Sequence, residues 1–291
     1  MDEKRAMDGI GAAGLIAFAA LLGFNQVVIK VTGGGFGPVF QAGLRSVGAL
    51  AILGLWIWVR RVPLSLPRGV APWGVLAGLF FSAEFLCLYM ALDRTTVARA
   101  SILLYSMPVW LALAAHFMLP GERLSRGRAL GLVLAMGGVV IALADRGGGA
   151  ASLTGDLLAL CAALGWAGIA LTVRMTPLAR ARPLVQLLFQ LGVSAPLLLA
   201  LAPLFGPMLR APEPIHWAGL GFQIVAIASL GFLFWLKLMS IYRASGVASF
   251  SFLSPVFAVL LGWGLLGEAI ALSIWAALGL VAAGLVLINR R

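Results

Sequence analysis

Charge is what this chain has least of. Only 11% of its 291 residues are Asp, Glu, Lys or Arg, against about 25% in soluble domains. Too few polar side chains exist to cover a water-exposed globule. Cysteine is as sparse: Cys87 and Cys161 both lie inside apolar runs, so neither a disulfide framework nor a CxxC site follows. His116 and His216 are the two histidines, far apart in the chain. No His, Cys and carboxylate cluster is present to hold a metal. Intramembrane proteolysis would need a serine and a histidine to meet, yet both histidines fall near span ends and no GxSG motif occurs. The loop Gly33–Gly37 (GGGFG) lacks the GK[ST] of a phosphate loop. An intramembrane enzyme is therefore the least favoured class, and no cofactor or metal is expected.

What the chain does have is apolar length. Hydrophobic residues make up 62% of it, and the mean hydropathy is +1.05. Ten apolar runs lie near 10–31, 38–59, 71–92, 96–118, 124–144, 154–174, 183–205, 216–236, 244–265 and 269–288. Each is long enough for a helix across a hydrocarbon layer about 30 Å thick. A helix satisfies its own backbone, which lipid cannot do for it. The first run is too long for a cleaved leader and reads as an uncleaved first span.

The formal charge of +11 is no nucleic-acid footprint, because the basic residues cluster between the runs rather than along one face. One set of loops and ends holds Lys4, Arg5, Arg60, Arg61, Arg68, Arg123, Arg126, Arg128, Arg174, Arg180, Arg182, Lys237, Arg243, Arg290 and Arg291; the other holds Arg94, Arg99, Arg146 and Arg210. This split of 15 to 4 places both termini in the cytoplasm. An even number of spans requires both ends on one side, so the two readings agree.

One punctuated stretch occurs twice. In MPVWLALAAHFMLPGERL (107–124), Pro108-Val109 precedes Gly121-Glu122; in LSPVFAVLLGWGLLGEAI (253–270), Pro255-Val256 precedes Gly267-Glu268. RTTVARAS (94–101) leads into the first copy and RASGVASF (243–250) into the second, and a glycine-rich span follows each. The chain thus divides into five-span halves, 1–147 and 153–291, joined by a linker at 148–152. An odd number of spans per half inverts the second copy, a signature of secondary transporters. Pro108 and Pro255 lack an N–H and are expected to bend their helices. Glu122 and Glu268 fall at span ends, where each can be hydrated or cap the following helix. Gly131, Gly137, Gly138, Gly279 and Gly284 are expected to permit close helix contact.

These paired motifs resemble the EamA-type drug/metabolite transporter superfamily over almost the whole chain. In general character the chain is most similar to bacterial aromatic amino acid exporters of the YddG type. The resemblance implies an all-α inner-membrane carrier: ten transmembrane helices in two inverted five-helix repeats, working by alternating access as a monomer. It also implies efflux of aromatic and other neutral amino acids, with lipid and a small molecule as its only partners. A multidrug or other small-metabolite exporter of the same fold is the alternative.

Polar groups inside the spans are the candidate site, since a charge at a helix centre costs about 2.5–3.5 kcal/mol. Arg45 lies seven residues into the second run and Glu84 eight from the far end of the third, depths of about 10 and 12 Å at 1.5 Å per residue. The matching depths allow a charge pair. Two readings stand: a structural ion pair, or Glu84 lining a cavity and taking an amino group or a proton. Lys30, at the outer end of its run, can simply snorkel. Asn25 and Gln26 in span 1 and Gln223 in span 8 add amides; Phe85 and Tyr89 share a face of span 3. Tyr105 and Trp166 fall near midmembrane, where their O–H and N–H need a partner, either a ligand or a helix carbonyl. The expected substrate-binding set is Asn25, Gln26, Glu84, Phe85, Tyr89, Tyr105, Trp166 and Gln223. Together with the resemblance, these place spans 1, 3, 4, 6, 8 and 9 around a central cavity.

Overall fold

The computed structural model describes residues 8–119, 124–145, 152–242, 250 and 253–289. Gly121-Glu122, most of the linker and residues 243–249 lie outside them. Twelve α-helices run through the described residues: α1 Gly9–Thr32, α2 Pro38–Arg60, α3 Ala71–Arg94, α4 Val97–Leu104, α5 Met107–Met118 and α6 Arg126–Ala144, then α7 Leu153–Met175, α8 Pro183–Leu201, α9 Pro214–Phe222, α10 Phe232–Ile241, α11 Leu253–Leu266 and α12 Leu272–Asn289. A π-helical stretch, Gln223–Gly231, joins α9 to α10. The starts are set locally. Asp8, Thr96, Ser125 and Ser152 each accept a hydrogen bond from a backbone N–H three residues on. Pro38, Pro183 and Pro214 occupy the first position of their helices, where a missing N–H costs nothing.

Eight of the helical runs are long and apolar enough to cross a membrane, counting α4 with α5 and α9 through α10 as single runs. Two shorter apolar helices, Leu253–Leu266 and Leu272–Ile288, complete the set. The run at 96–118, expected as one bent helix, is broken outright. α4 ends at Leu104, Tyr105 and Ser106 form a turn, and Pro108 sits in the first turn of α5. Pro255 lies in the first turn of described α11, not in its middle. Pro196 lies inside α8.

The five most extensive helix pairings are α6 with α12, α3 with α7, α1 with α11, α2 with α8 and α3 with α8. Every one joins a helix before residue 147 to one after residue 152. The most extensive faces of each half are thus completed by the other. At the far end from the N-terminus, two connections clasp. Gly37 N donates to Met208 O at 2.9 Å and Arg210 N to Gly35 O at 2.8 Å.

The α6–α12 contact is backbone on backbone. A Cβ on Gly284 would lie 2.5 Å from the Gly131 carbonyl oxygen, and one on Gly131 would lie 2.7 Å from that of Gly284. Gly138 is equally close to Ala277, whereas Gly137 and Gly279 face open space, so the close contact expected of all five glycines is made by three. Gly131→Leu or Gly284→Leu is therefore expected to destabilise the fold by about 1–3 kcal/mol, the usual cost of overpacking. Gly279→Ala is expected to leave the melting temperature of the purified protein unchanged or raised, and thermal unfolding of the three variants checks the contrast.

Candidate functional site

The broken span and the π-helical stretch border a cavity of about 450 Å³, within the size range of small-molecule sites. Its walls come from α1 (Leu15, Phe18, Ala19, Leu22), α3 (Phe81, Glu84, Phe85), α7 (Trp166, Ile169) and α8 (Leu187, Gln190, Leu191). Arg45 of α2, Tyr105 from the α4–α5 turn, Ile227 and Ala228 of the π-helical stretch, Phe232 and Trp235 of α10, Phe250 and Ser254 close it. Spans 2 and 7 thus join the six that sequence pointed to. Irregular backbone at this depth is tolerated where it lines a cavity rather than lipid. A hollow of similar volume beside Leu64, Ser65 and Leu66 has no charged side chain in its wall.

Aromatic rings dominate the inner surface. Phe81 and Phe85 are 4.5 Å apart between centroids, and Tyr105 meets Trp166 edge-on at 5.8 Å. Arg45 lies with its guanidinium carbon 4.1 Å above the Phe85 ring, a cation–π arrangement. Arg45 is 6% exposed and Glu84 7%. The two share the cavity, but no salt bridge joins them among the described residues. The Arg45 Nε and Nη1 have no hydrogen-bond partner among the described residues.

Of the expected binding set, Glu84, Phe85, Tyr105 and Trp166 line this cavity. The other four do not. Tyr89 and Gln223 turn toward each other in a separate buried network. The Tyr89 hydroxyl donates to Gln223 Oε1 at 2.7 Å, Gln41 Nε2 donates to the same oxygen at 3.2 Å and to Ile29 O at 3.2 Å, and Gln223 Nε2 donates to Thr32 Oγ1 at 3.2 Å. Asn25 and Gln26 are buried outside the cavity lining, and their Oδ1 and Oε1 find no partner among the described residues. Gln190 is legible in the sequence as an amide sharing a face of its run with Gln186. Arg45 was legible as a charge, although its partner is a ring.

Beyond the Gln223 network, one end of the molecule is tied shut. Lys30 does not snorkel: its Nζ donates to Leu92 O at 2.9 Å and Thr95 O at 2.6 Å, closing the end of α3. Glu268 caps no following helix. Its Oε1 and Oε2 accept from Val97 N at 2.7 Å and Ala98 N at 3.1 Å, at the start of α4 in the other half. Arg99, expected in a loop, is a buried residue of α4. It bonds Asp156 of α7 through Nη2 at 2.6 Å and also reaches the Ala142 carbonyl. Arg210 pairs with Asp93 at 2.5 Å, and this carboxylate raises the guanidinium pKa above its ordinary value.

Long apolar helices, a span broken beside a cavity and a tied end beyond it define a multi-pass membrane protein built around a solute-sized chamber. The chain belongs to the EamA-like transporter family, whose sequence profile matches residues 9–144 and again 153–290. Over 261 residues it is 34% identical to an uncharacterised protein of Pseudomonas aeruginosa, covering 88% of this chain and 85% of that one. An uncharacterised transporter of Bacillus subtilis is 25% identical, with 90% of each chain covered. A protein of Salmonella typhimurium named a probable amino-acid metabolite efflux pump is 29% identical, with 93% of this chain and 91% of that one covered. A solved crystal structure shares the fold with a TM-score of 0.66 at 24% identity, covering 95% of this chain and 97% of that chain.

The Gln223 network sets a stability order. Gln223→Leu removes the acceptor shared by two donors and is expected to cost about 1–3 kcal/mol, the penalty of buried unsatisfied groups. Tyr89→Phe leaves Gln223 Oε1 its second donor, Gln41, and should cost about 0.5–1.5 kcal/mol. Melting temperatures in detergent that fall more for Gln223→Leu than for Tyr89→Phe would bear this out.

Proposed function

We infer that the chain is a bacterial-type inner-membrane carrier that exports amino acids, aromatic and other neutral, by alternating access. The observation that carries this reading is the cavity: aromatic walls around one cation and one anion. A free amino acid is a zwitterion with one charge of each sign, and many carry an apolar side chain. The relative named as a probable amino-acid metabolite efflux pump supports the same cargo. A phosphorylated cargo would call for several buried cations, and among the described residues the cavity wall holds Arg45 alone.

The membrane arrangement follows from the same reading. The ten apolar helical runs form two inverted five-helix repeats, about 1–147 and 153–291, with Pro-Val and Gly-Glu at matching places. The 15-to-4 bias of basic residues puts both termini in the cytoplasm. The cavity lies on the terminus-bearing side of the Gln223 network, so this conformation is poised to load cargo from the cytoplasm. Export then requires the tied end to part while the cavity closes behind the solute. A second reading, export of lipophilic cations, is favoured by the rings around the single carboxylate of Glu84.

Proteoliposome flux separates the two. Labelled phenylalanine, labelled threonine and a cationic dye are each loaded, with and without a pH gradient. Saturable phenylalanine flux above that of protein-free vesicles is expected. Dye flux without amino-acid flux would overturn the cargo assignment.

A further inference from the structure

Four charged side chains are buried among the described residues, and two of them, Arg99 and Asp156, pair with each other. The partly buried charges have partners too: Lys30 has two carbonyls, Arg210 has Asp93 and Glu268 has two backbone N–H groups. Arg45 and Glu84 are as deeply buried as Arg99, yet neither has a hydrogen bond or ion pair among the described residues. Among the described residues they are also the two charged side chains in the cavity wall. An uncompensated buried charge is costly, and the ordinary solution was available, because the two share one cavity. Instead, Phe85 holds the guanidinium 4.1 Å from its ring, with Nε and Nη1 unpartnered. A cation–π contact fixes a guanidinium but uses its face, leaving the in-plane N–H donors free.

We propose that Arg45 and Glu84 are the two poles of a zwitterion subsite, Arg45 taking the α-carboxylate and Glu84 the α-ammonium of one amino acid. The assignment rests on the reading of the chain as an amino-acid carrier. A carboxylate suits the forked N–H donors of an arginine. An ammonium donates to a carboxylate in turn. The ligand's own two charged groups bridge the gap that the protein leaves between them. A lone cation would leave Arg45 unmatched, and a lone anion would leave Glu84 unmatched; a zwitterion matches both and adds no net charge. Phe81, Tyr105 and Trp166 then face the side chain, which favours large apolar amino acids.

The test uses the purified full-length protein and three ligands that share a phenyl ring: phenylalanine, phenethylamine, which lacks the carboxylate, and 3-phenylpropionate, which lacks the amine. Quenching of tryptophan fluorescence reads binding, since Trp166 and Trp235 line the cavity. Wild type is expected to bind phenylalanine about 10- to 100-fold more tightly than either analogue, the worth of one charged hydrogen-bonded contact. Arg45→Gln should bring phenylalanine down to the phenethylamine level and leave phenethylamine unchanged. Glu84→Gln should bring it down to the 3-phenylpropionate level and leave 3-phenylpropionate unchanged. Arg45→Lys, which keeps the charge if Arg45→Gln fails to fold, should retain a reduced preference for phenylalanine over phenethylamine. Wild type binding either analogue as tightly as phenylalanine overturns the two-pole assignment, and so do variants that weaken all three ligands alike. If phenylalanine crosses proteoliposomes while these selectivities fail, only the subsite is wrong. If wild type neither binds nor moves any amino acid, the cargo reading fails with it.

Discussion

The turn between α3 and α4 is held by two charges of opposite sign, and the closed end of the molecule depends on them. Thr95 and Val97 are fully buried there, so the carbonyls ending α3 and the N–H groups starting α4 are shut away from water. Each helix end leaves four such groups without an intrahelical partner. Lys30 meets the carbonyl end and Glu268 the amide end, the signs that the helix dipoles favour. The two side chains come from opposite halves of the chain, Lys30 from α1 and Glu268 from the connection between α11 and α12. The Arg99–Asp156 pair then pins α4 to α7, and the Gln223 network ties the π-helical stretch to α2 and α3. Backbone desolvation alone would have made this end expensive; the charges turn it into a clamp.

On the other side of that clamp the same constraint is relaxed in the opposite way. Span 4 leaves regular helical pairing at Ser106, whose N–H turns to Leu103 O, and the run from Pro214 to Ile241 shifts to π-helical pairing at Gln223. Both departures border the cavity, and helix irregularities of this kind are frequent at functional sites. Gln223 links the two regions. It opens the π-helical stretch whose later residues, Ile227 and Ala228, line the cavity, while its side chain belongs to the closed end. A change in the pairing of this stretch would move the cavity wall and the network together.

Much of this organisation is written in the sequence. Apolar runs set the rough limits of the long helices, because lipid leaves the backbone no alternative. The double occurrence of Pro-Val and Gly-Glu agrees with a family profile that matches the chain twice. Which helix face meets which neighbour is far less legible. In a soluble helix the polar face points outward, so the pattern fixes the rotation. Here lipid and protein interior are both apolar, and the rotation of a helix leaves little trace. That is why Tyr89 and Gln223 were placed in the cavity with Phe85, although they bond to each other outside it. Arg99 read as a loop cation because a charge was expected in water; its partner Asp156 is 57 residues away in sequence. Glu268 read as a cap for the next helix because sequence shows only the next helix.

Under the proposed alternating access, the interlocked halves limit how this transporter would move. A rocking motion of one half against the other would break the α6–α12, α3–α7 and α1–α11 packing at once, since the largest interfaces all cross between halves. The α6–α12 contact in particular brings backbone against backbone at Gly131 and Gly284, which leaves little room for sliding. Motion is cheaper where polar groups can be exchanged for water. The Lys30 and Glu268 caps, the Arg210–Asp93 pair and the Gln223 network are all of that kind. As water enters, each lost bond is replaced by hydration, so opening costs far less than separating packed apolar surface. The moving unit is then best drawn along helix groups that contain members of both halves, with α6 and α12 travelling as one body and the α3–α4 turn released from Lys30 and Glu268.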